Sequence, residues 1–208
     1  MRHDIEGMRE EQRRIAKRVV IEDRLPKRIK TIGGFDTGYS GGRAKVAGVV
    51  LDYKTLEILE RKTFETSVRF PYVPTFLTFR EGPLLVRVYR KLKTKPDILM
   101  FNGQGIAHPL RAGLASHVGV LLGKPSVGVA QKRLIGEYRE PRGRDDFKRL
   151  IFEGKQVGWV LRSKEGCKPI FVSPGHRVSV QRSLSVCVYC LGGRKLPEPL
   201  ALAHEFSK

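Results

Sequence analysis

The chain has 208 residues, 40% of them hydrophobic, and that size predicts one well-filled core rather than two ordinary domains. Forty Lys and Arg against 21 Asp and Glu give a formal charge of +19, which points to a polyanionic partner, because a merely charge-rich thermophilic surface carries both signs in near balance. Three cysteines exclude a disulfide framework, no run approaches the roughly 20 apolar residues of a membrane span, and MRHDIEGMRE carries no signal-peptide core, so the expectation is a cytoplasmic protein.

The first segment, Asp4 to Val20, is charged but places Ile5, Met8, Ile15 and Val19 on one stripe, which predicts an N-terminal helix packed on the domain. After Pro26 come IGGFDTGY, AKVAGVVLDY and EILERKTFET, whose short Gly-containing or polar connections predict an antiparallel meander of three strands. The order then alternates. Thr75 to Leu92 reads as a helix bent at Gly82-Pro83, Pro96 to Phe101 as a strand, Arg111 to Leu122 as a helix and Ser126 to Ala130 as a strand. Arg139 to Asp146 reads as a loosely ordered stretch. QVGWVLRS and KPIFVS form a predicted hairpin, followed by helices over Val180 to Leu191 and Glu198 to Phe206. Three antiparallel strands followed by β-α-β units predict an α/β fold with a mixed sheet, its later strands parallel, and helices on both faces. The C-x-x-C pair Cys187 and Cys190 sits in the apolar LSVCVYCL with no second ligand pair, and is read as packing.

Chemistry is sought where an acidic or imidazole side chain meets a strand end or a glycine-led turn. Asp36 stands in the otherwise apolar or small GGFDTGYS, where a carboxylate needs either a cation or a turn to cap. Glu81 precedes Gly82-Pro83, with two readings open: a directed carboxylate or a surface ion pair with Arg80. In FNGQGIAHP, Asn102 ends a strand and Gly103 and Gly105 allow close approach of a ligand. His108 of the same segment suits a cap, a phosphate contact or proton transfer. His176 of VSPGHRVS is placed on a loop, with Ser173 as a turn former and Arg177 available to phosphate, whereas His117 is read as packed or solvated. In FPYVP, Pro71 and Pro74 stiffen a segment presenting Tyr72 and Val73, which suits either insertion between bases or a structural corner.

Taken in order, FDTGY, FPYVPTFLTFREGP, NGQGIAHPLRAGLASHVGVLLGKPSVGVA, VSPGHRVS and LPEPLALAH resemble the endonuclease V family of inosine-directed nucleases, from about Thr31 to the end of the chain. The resemblance implies an RNase H-like fold and a Mg²⁺ site, with Mn²⁺ as substitute, at Asp36, Glu81 and the position of Asn102, and His176 as a further member of the site. It also implies that Tyr72, flanked by Pro71, Val73 and Pro74, is a base-separating wedge. The flipped base would be read by backbone groups around Leu77, Gly103 and Leu114, with His108 nearby. Cleavage would fall at the second phosphodiester 3′ to inosine, in DNA or in single-stranded RNA, by a monomer. The sequence departs twice from the pattern: Asn102 replaces an acidic residue, and Gln131, followed by Lys132, stands where GVAK is usual. Two functions are therefore weighed: an inosine-specific endonuclease impaired at Asn102, and a protein that binds inosine or nucleic acid without cutting it.

Overall fold

A computed structural model describes residues 4–68 and 70–208. Helix α1 (Ile5–Arg18) begins where the Asp4 carboxylate accepts from Gly7 N at 2.9 Å. The strands β1 (Thr31–Ser40), β2 (Arg43–Asp52) and β3 (Ile58–Ser67) form the expected meander. Then follow α2 (Leu77–Lys91), β4 (Ile98–Asn102), α3 (Leu114–Leu122) and β5 (Ser126–Ala130). The chain continues through β6 (Phe147–Phe152), β7 (Lys155–Leu161) and β8 (Ile170–His176) into α4 (Val180–Tyr189) and α5 (Glu198–Phe206).

All eight strands join one sheet in the order β3-β2-β1-β4-β5-β8-β7-β6. Only β1-β4 and β4-β5 are parallel; β5-β8, β7-β8 and β6-β7 are antiparallel. The predicted hairpin is the β7-β8 pair. Strand β6 went unread in the sequence because FKRLIF is mostly charged or half-exposed, the pattern of an outer strand that needs a partner to define it. Arg139 to Asp146 is held rather than loose: Arg162 donates to the Pro141 carbonyl and to Glu140, and Arg142 N to Asp146.

Side-chain alternation divides the core. Ile32, Leu51, Ile98, Met100 and Val127 face α4 and α5, whereas Phe35, Val46, Val50, Leu99 and Phe101 face α2 and α3. Cys187 and Cys190 lie in the first of these clusters, and burial pushes the Cys190 thiol up to about 12, as a packing role requires. Of the stripe read for α1, Ile15 is fully buried, but Ile5 is half exposed and the other buried residue is the polar Gln12. Helix α2 runs through Pro83, whose missing N–H leaves the Phe79 carbonyl without its helical donor.

Two close approaches set the geometry of the site. A Cβ at Gly34 would run into the Pro199 carbonyl, and one at Gly38 into the Ser207 carbonyl, so only glycine lets α5 lie against β1 along its length. The last turn of α5 is thereby brought over the end of β1. Among the described residues no helix is long and apolar enough to cross a membrane.

Candidate active site

Parallel pairing of β1 and β4 places Phe35 opposite Phe101, so that Asp36, still paired with β2, and Asn102, the last residue of β4, stand side by side. Asn102 Nδ2 donates to Asp36 Oδ1 at 3.0 Å. The second carboxylate oxygen is engaged from α5: His204 Nδ1 lies 2.8 Å from Asp36 Oδ2, and Ser207 Oγ 3.3 Å from it. A carboxylate only accepts, so His204 carries its proton on Nδ1 and turns Nε2 away. Asp36 is 5% exposed and these three donors surround it.

Glu81 reaches the same place from α2. It is buried, and Tyr39 donates its hydroxyl to Oε1 at 3.1 Å, while Arg80 lies over the Tyr39 ring at 4.0 Å. Burial, reinforced by the Asp36 charge and opposed by the Tyr39 hydroxyl, pushes the Glu81 carboxyl up to about 8. In the metal-free protein the folded form thus holds a proton on Glu81 between pH 4.5 and about 8 that the unfolded form releases, and stability falls as pH rises through that window. Replacing Glu81 by Gln is expected to flatten this slope and to raise stability by a few kcal/mol, about 3–5, at pH 8.5 without metal. Saturating Mg²⁺ is expected to reverse the ranking, and melts of both proteins at pH 5.5 and 8.5 with and without the cation would read it; equal slopes would rule out the buried acid.

The donor set consists of Asp36 and Glu81 oxygens plus Asn102 Oδ1. Oxygen donors without thiolate or imidazole suit a hard divalent cation such as Mg²⁺. A buried carboxylate that would otherwise stay protonated up to about pH 8 is the kind of group that a cation stabilises in its charged form. Among the described residues no three His, Cys, Asp or Glu side chains group at metal-holding geometry, and the side chain beside Asp36 at the end of β4 is an amide.

Beside this cluster a cavity of about 340 Å³ opens between the β4 end, the start of α3 and the segment after β5. Asn102 and Gly103 form its edge toward Asp36; Leu77 and Leu114 give apolar wall; Gln131 and Lys132 lie across from them. Tyr72 stands at its rim with 66% of its surface exposed. Gln131 Oε1 accepts from Lys195 Nζ at 3.4 Å, which brings a cation next to the uncharged side chain.

The family model of endonuclease V matches residues 13–205. The chain belongs to the endonuclease V family. It is 45% identical over 200 residues to endonuclease V of Dictyoglomus thermophilum, which covers 95% of this chain and 86% of the relative. The crystal structure of endonuclease V from Streptomyces avermitilis superposes with a TM-score of 0.89 at 34% identity, covering 98% of this chain and 91% of that one. The Ciona intestinalis endonuclease V, solved with a 24mer DNA containing an inosine followed by a ribo-adenosine, shares the fold with a TM-score of 0.83 at 23% identity, covering 98% and 95% of the two chains. The homologues are nucleases that hydrolyse phosphodiester bonds.

Most of the residues singled out in the sequence meet in this endonuclease V fold: Asp36, Glu81 and Asn102 at the sheet edge, and Tyr72, Leu77, Gly103, His108, Leu114, Gln131 and Lys132 around the cavity. Pro71, Val73 and Pro74 lie on the loop that carries Tyr72. His176 does not join them. It ends β8 rather than sitting on a loop, pairs with Ser126 three residues below the Asn102 level, and so lies roughly 10 Å down the sheet. Its Nδ1 accepts from Val20 N at 3.3 Å, and burial together with Arg177, Arg18 and Arg24 lowers its pKa to about 4, so it anchors the segment after α1 as a neutral ring. Arg177 is likewise spent on structure, donating to the Gly123 carbonyl at 2.6 Å. Ser173 is not a turn former; it accepts from Gly105 N at 2.8 Å and fixes the loop beyond Asn102.

His204 is the histidine that sequence reasoning missed. It lay in view within LPEPLALAH, where a histidine near the end of an apolar helix reads as an ordinary C-terminal cation. His108, for its part, uses both ring nitrogens structurally: Nδ1 accepts from Leu110 N at 3.1 Å and Nε2 donates to the Thr75 carbonyl at 2.8 Å. Burial lowers its pKa, in keeping with a neutral ring.

Proposed function

We propose that the chain is a metal-dependent endonuclease directed to inosine, cutting the second phosphodiester 3′ to the deaminated base and leaving a 3′-hydroxyl and a 5′-phosphate. The observation that carries this reading is the juxtaposition of the Asp36–Glu81–Asn102 edge with a base-sized cavity that shares Asn102 and Gly103 with it. The Ciona intestinalis relative crystallised on inosine-containing DNA supports the same substrate. Asp36 and Glu81 would hold Mg²⁺, or Mn²⁺ in its place, with Asn102 Oδ1 a weaker third ligand. A bound cation supplies charge neutralisation at the phosphate and a water acidic enough to serve as nucleophile.

The chain's own residues do the rest. His204 fixes Asp36 through Nδ1, and its 43% exposed side chain leaves Nε2 facing the approach of the phosphate or of water. Tyr72 fills the space left by a flipped nucleotide, and the backbone around Leu77, Gly103 and Leu114 reads the base. Lys132, Arg133 and Lys195 draw the polyanionic strand to the cavity mouth. The site is complete within one chain, which acts as a monomer on DNA and on single-stranded RNA.

A second reading, binding with little cleavage, is favoured by one observation: the Asn102 amide hydrogen occupies Asp36 Oδ1 and adds no negative charge. The test incubates labelled inosine-containing DNA and RNA with the protein and Mg²⁺ or Mn²⁺. One product, cut at the second bond 3′ to inosine, is expected, slow for this chain; cutting of adenosine-containing controls at the same rate would overturn the assignment. Tyr72→Ala is expected to weaken binding to duplex inosine by about ten-fold and to leave single strands nearly unaffected, because only the duplex needs its stack opened. Fluorescence anisotropy on the two substrates reads the difference.

A further inference from the structure

Gln12 is the one strongly polar side chain buried by α1, 1% exposed, in a helix whose remaining buried residue is Ile15. Burial of an amide is unfavourable unless it is hydrogen-bonded, and its Nε2 donates to the Thr75 carbonyl at 2.6 Å. The same carbonyl receives His108 Nε2 at 2.8 Å. Two donors from separate parts of the chain therefore converge on one backbone oxygen.

Thr75 is the point of strain in the loop. Its φ is +71°, a left-handed value that β-branched residues avoid. Phe76 N donates to the Val73 carbonyl at 3.0 Å, closing a turn over Val73-Pro74-Thr75-Phe76. Proline second and positive φ third is the pattern of a type II turn, in which glycine or asparagine ordinarily stands third. Threonine there has to be held. Tyr72 immediately precedes this turn, and Leu77 of the cavity wall follows it.

We propose that Gln12 is a positioning residue for the Tyr72 loop, gripping the Thr75 carbonyl together with His108 so that Tyr72 is presented in one direction at the cavity mouth. The inference rests on the reading of Tyr72 as a base-separating wedge, and it assigns α1 a role in duplex opening although α1 itself lines no part of the cavity. His108 supplies the second donor to that carbonyl, its ring fixed by Leu110 N at Nδ1.

Gln12→Met keeps the volume and removes the donor. Hydrogen exchange of amides in residues 71–79 is expected to quicken by about ten-fold while α3 and the sheet are unchanged. In parallel, the dissociation constant for a duplex with one inosine is expected to rise by about ten-fold, and that for the same sequence as a single strand by less than about two-fold. Unchanged exchange at residues 71–79 overturns the clamp, as does quickening spread through α1 and α3 or equal weakening on both substrates, which would make Gln12 a plain core residue. Should the unaltered protein show no preference for inosine over adenosine, the functional reading fails, and the exchange measurement by itself decides the clamp.

Discussion

Asn102→Asp is expected to raise Mg²⁺-dependent cleavage of inosine-containing DNA by about 10- to 100-fold while making the metal-free protein less stable. Both effects come from one bond. Asn102 Nδ2 now donates to Asp36 Oδ1 at 3.0 Å, a charge-assisted contact that holds the edge of the sheet together without a cation. Aspartate removes that donor and sets a second carboxylate against Asp36, with buried Glu81 close enough to feel the Asp36 charge. Without metal the loss is about 2 kcal/mol at pH 8, less at pH 5 where the pair shares a proton. With Mg²⁺ the added charge becomes a ligand, and the melting midpoint should climb past that of the unaltered protein. Single-turnover cleavage and melts across a Mg²⁺ titration measure the two halves. A substituted protein that gains Mg²⁺ affinity but no rate would shift the lesion to Gln131, where Lys195 stands beside an amide.

Asp36→Ala is expected to abolish cleavage, by at least about 10³-fold, and to lose cation binding with it, whereas His204→Ala should lower the rate by about 10- to 100-fold and leave cation binding nearly intact. The contrast follows from position: in the proposed assignment Asp36 would offer its oxygens to the metal, whereas His204 touches Asp36 through Nδ1 at 2.8 Å. Asp36→Ala also strands Asn102 Nδ2 and His204 Nδ1, at about 1–3 kcal/mol of stability, whereas Ser207 Oγ keeps the His204 carbonyl as acceptor at 3.1 Å. Mn²⁺ binding followed by electron paramagnetic resonance separates the two variants. Loss of the Mn²⁺ signal in His204→Ala would mean that the imidazole is itself a ligand.

Local patterns made much of the fold legible. Strand-prone runs joined by short Gly-containing or polar connections marked the β1–β3 meander, and apolar periodicity marked the helices, because an amphipathic helix prints its period on the chain. Boundaries moved by a residue or more, as with α3, which begins at Leu114 after a turn that includes Arg111 at φ +55°. Outer strand β6 left no such print, since neither of its faces is continuously buried. Gln12 was invisible for the opposite reason: a polar residue on a charged helix looks solvated until its partner, 63 residues away, is known.

The sequence by itself determined the family, the charge that calls for a polyanion, and the presence of the side-chain oxygens of Asp36, Glu81 and Asn102. Which histidine serves them was decided only by tertiary structure. His176 and His204 are both plausible by composition, but strand register carries the first down the sheet, while Gly34 and Gly38 let α5 press the second onto Asp36 across 168 residues of sequence. Register and close packing are long-range properties, fixed by which surfaces meet, and no local pattern encodes them.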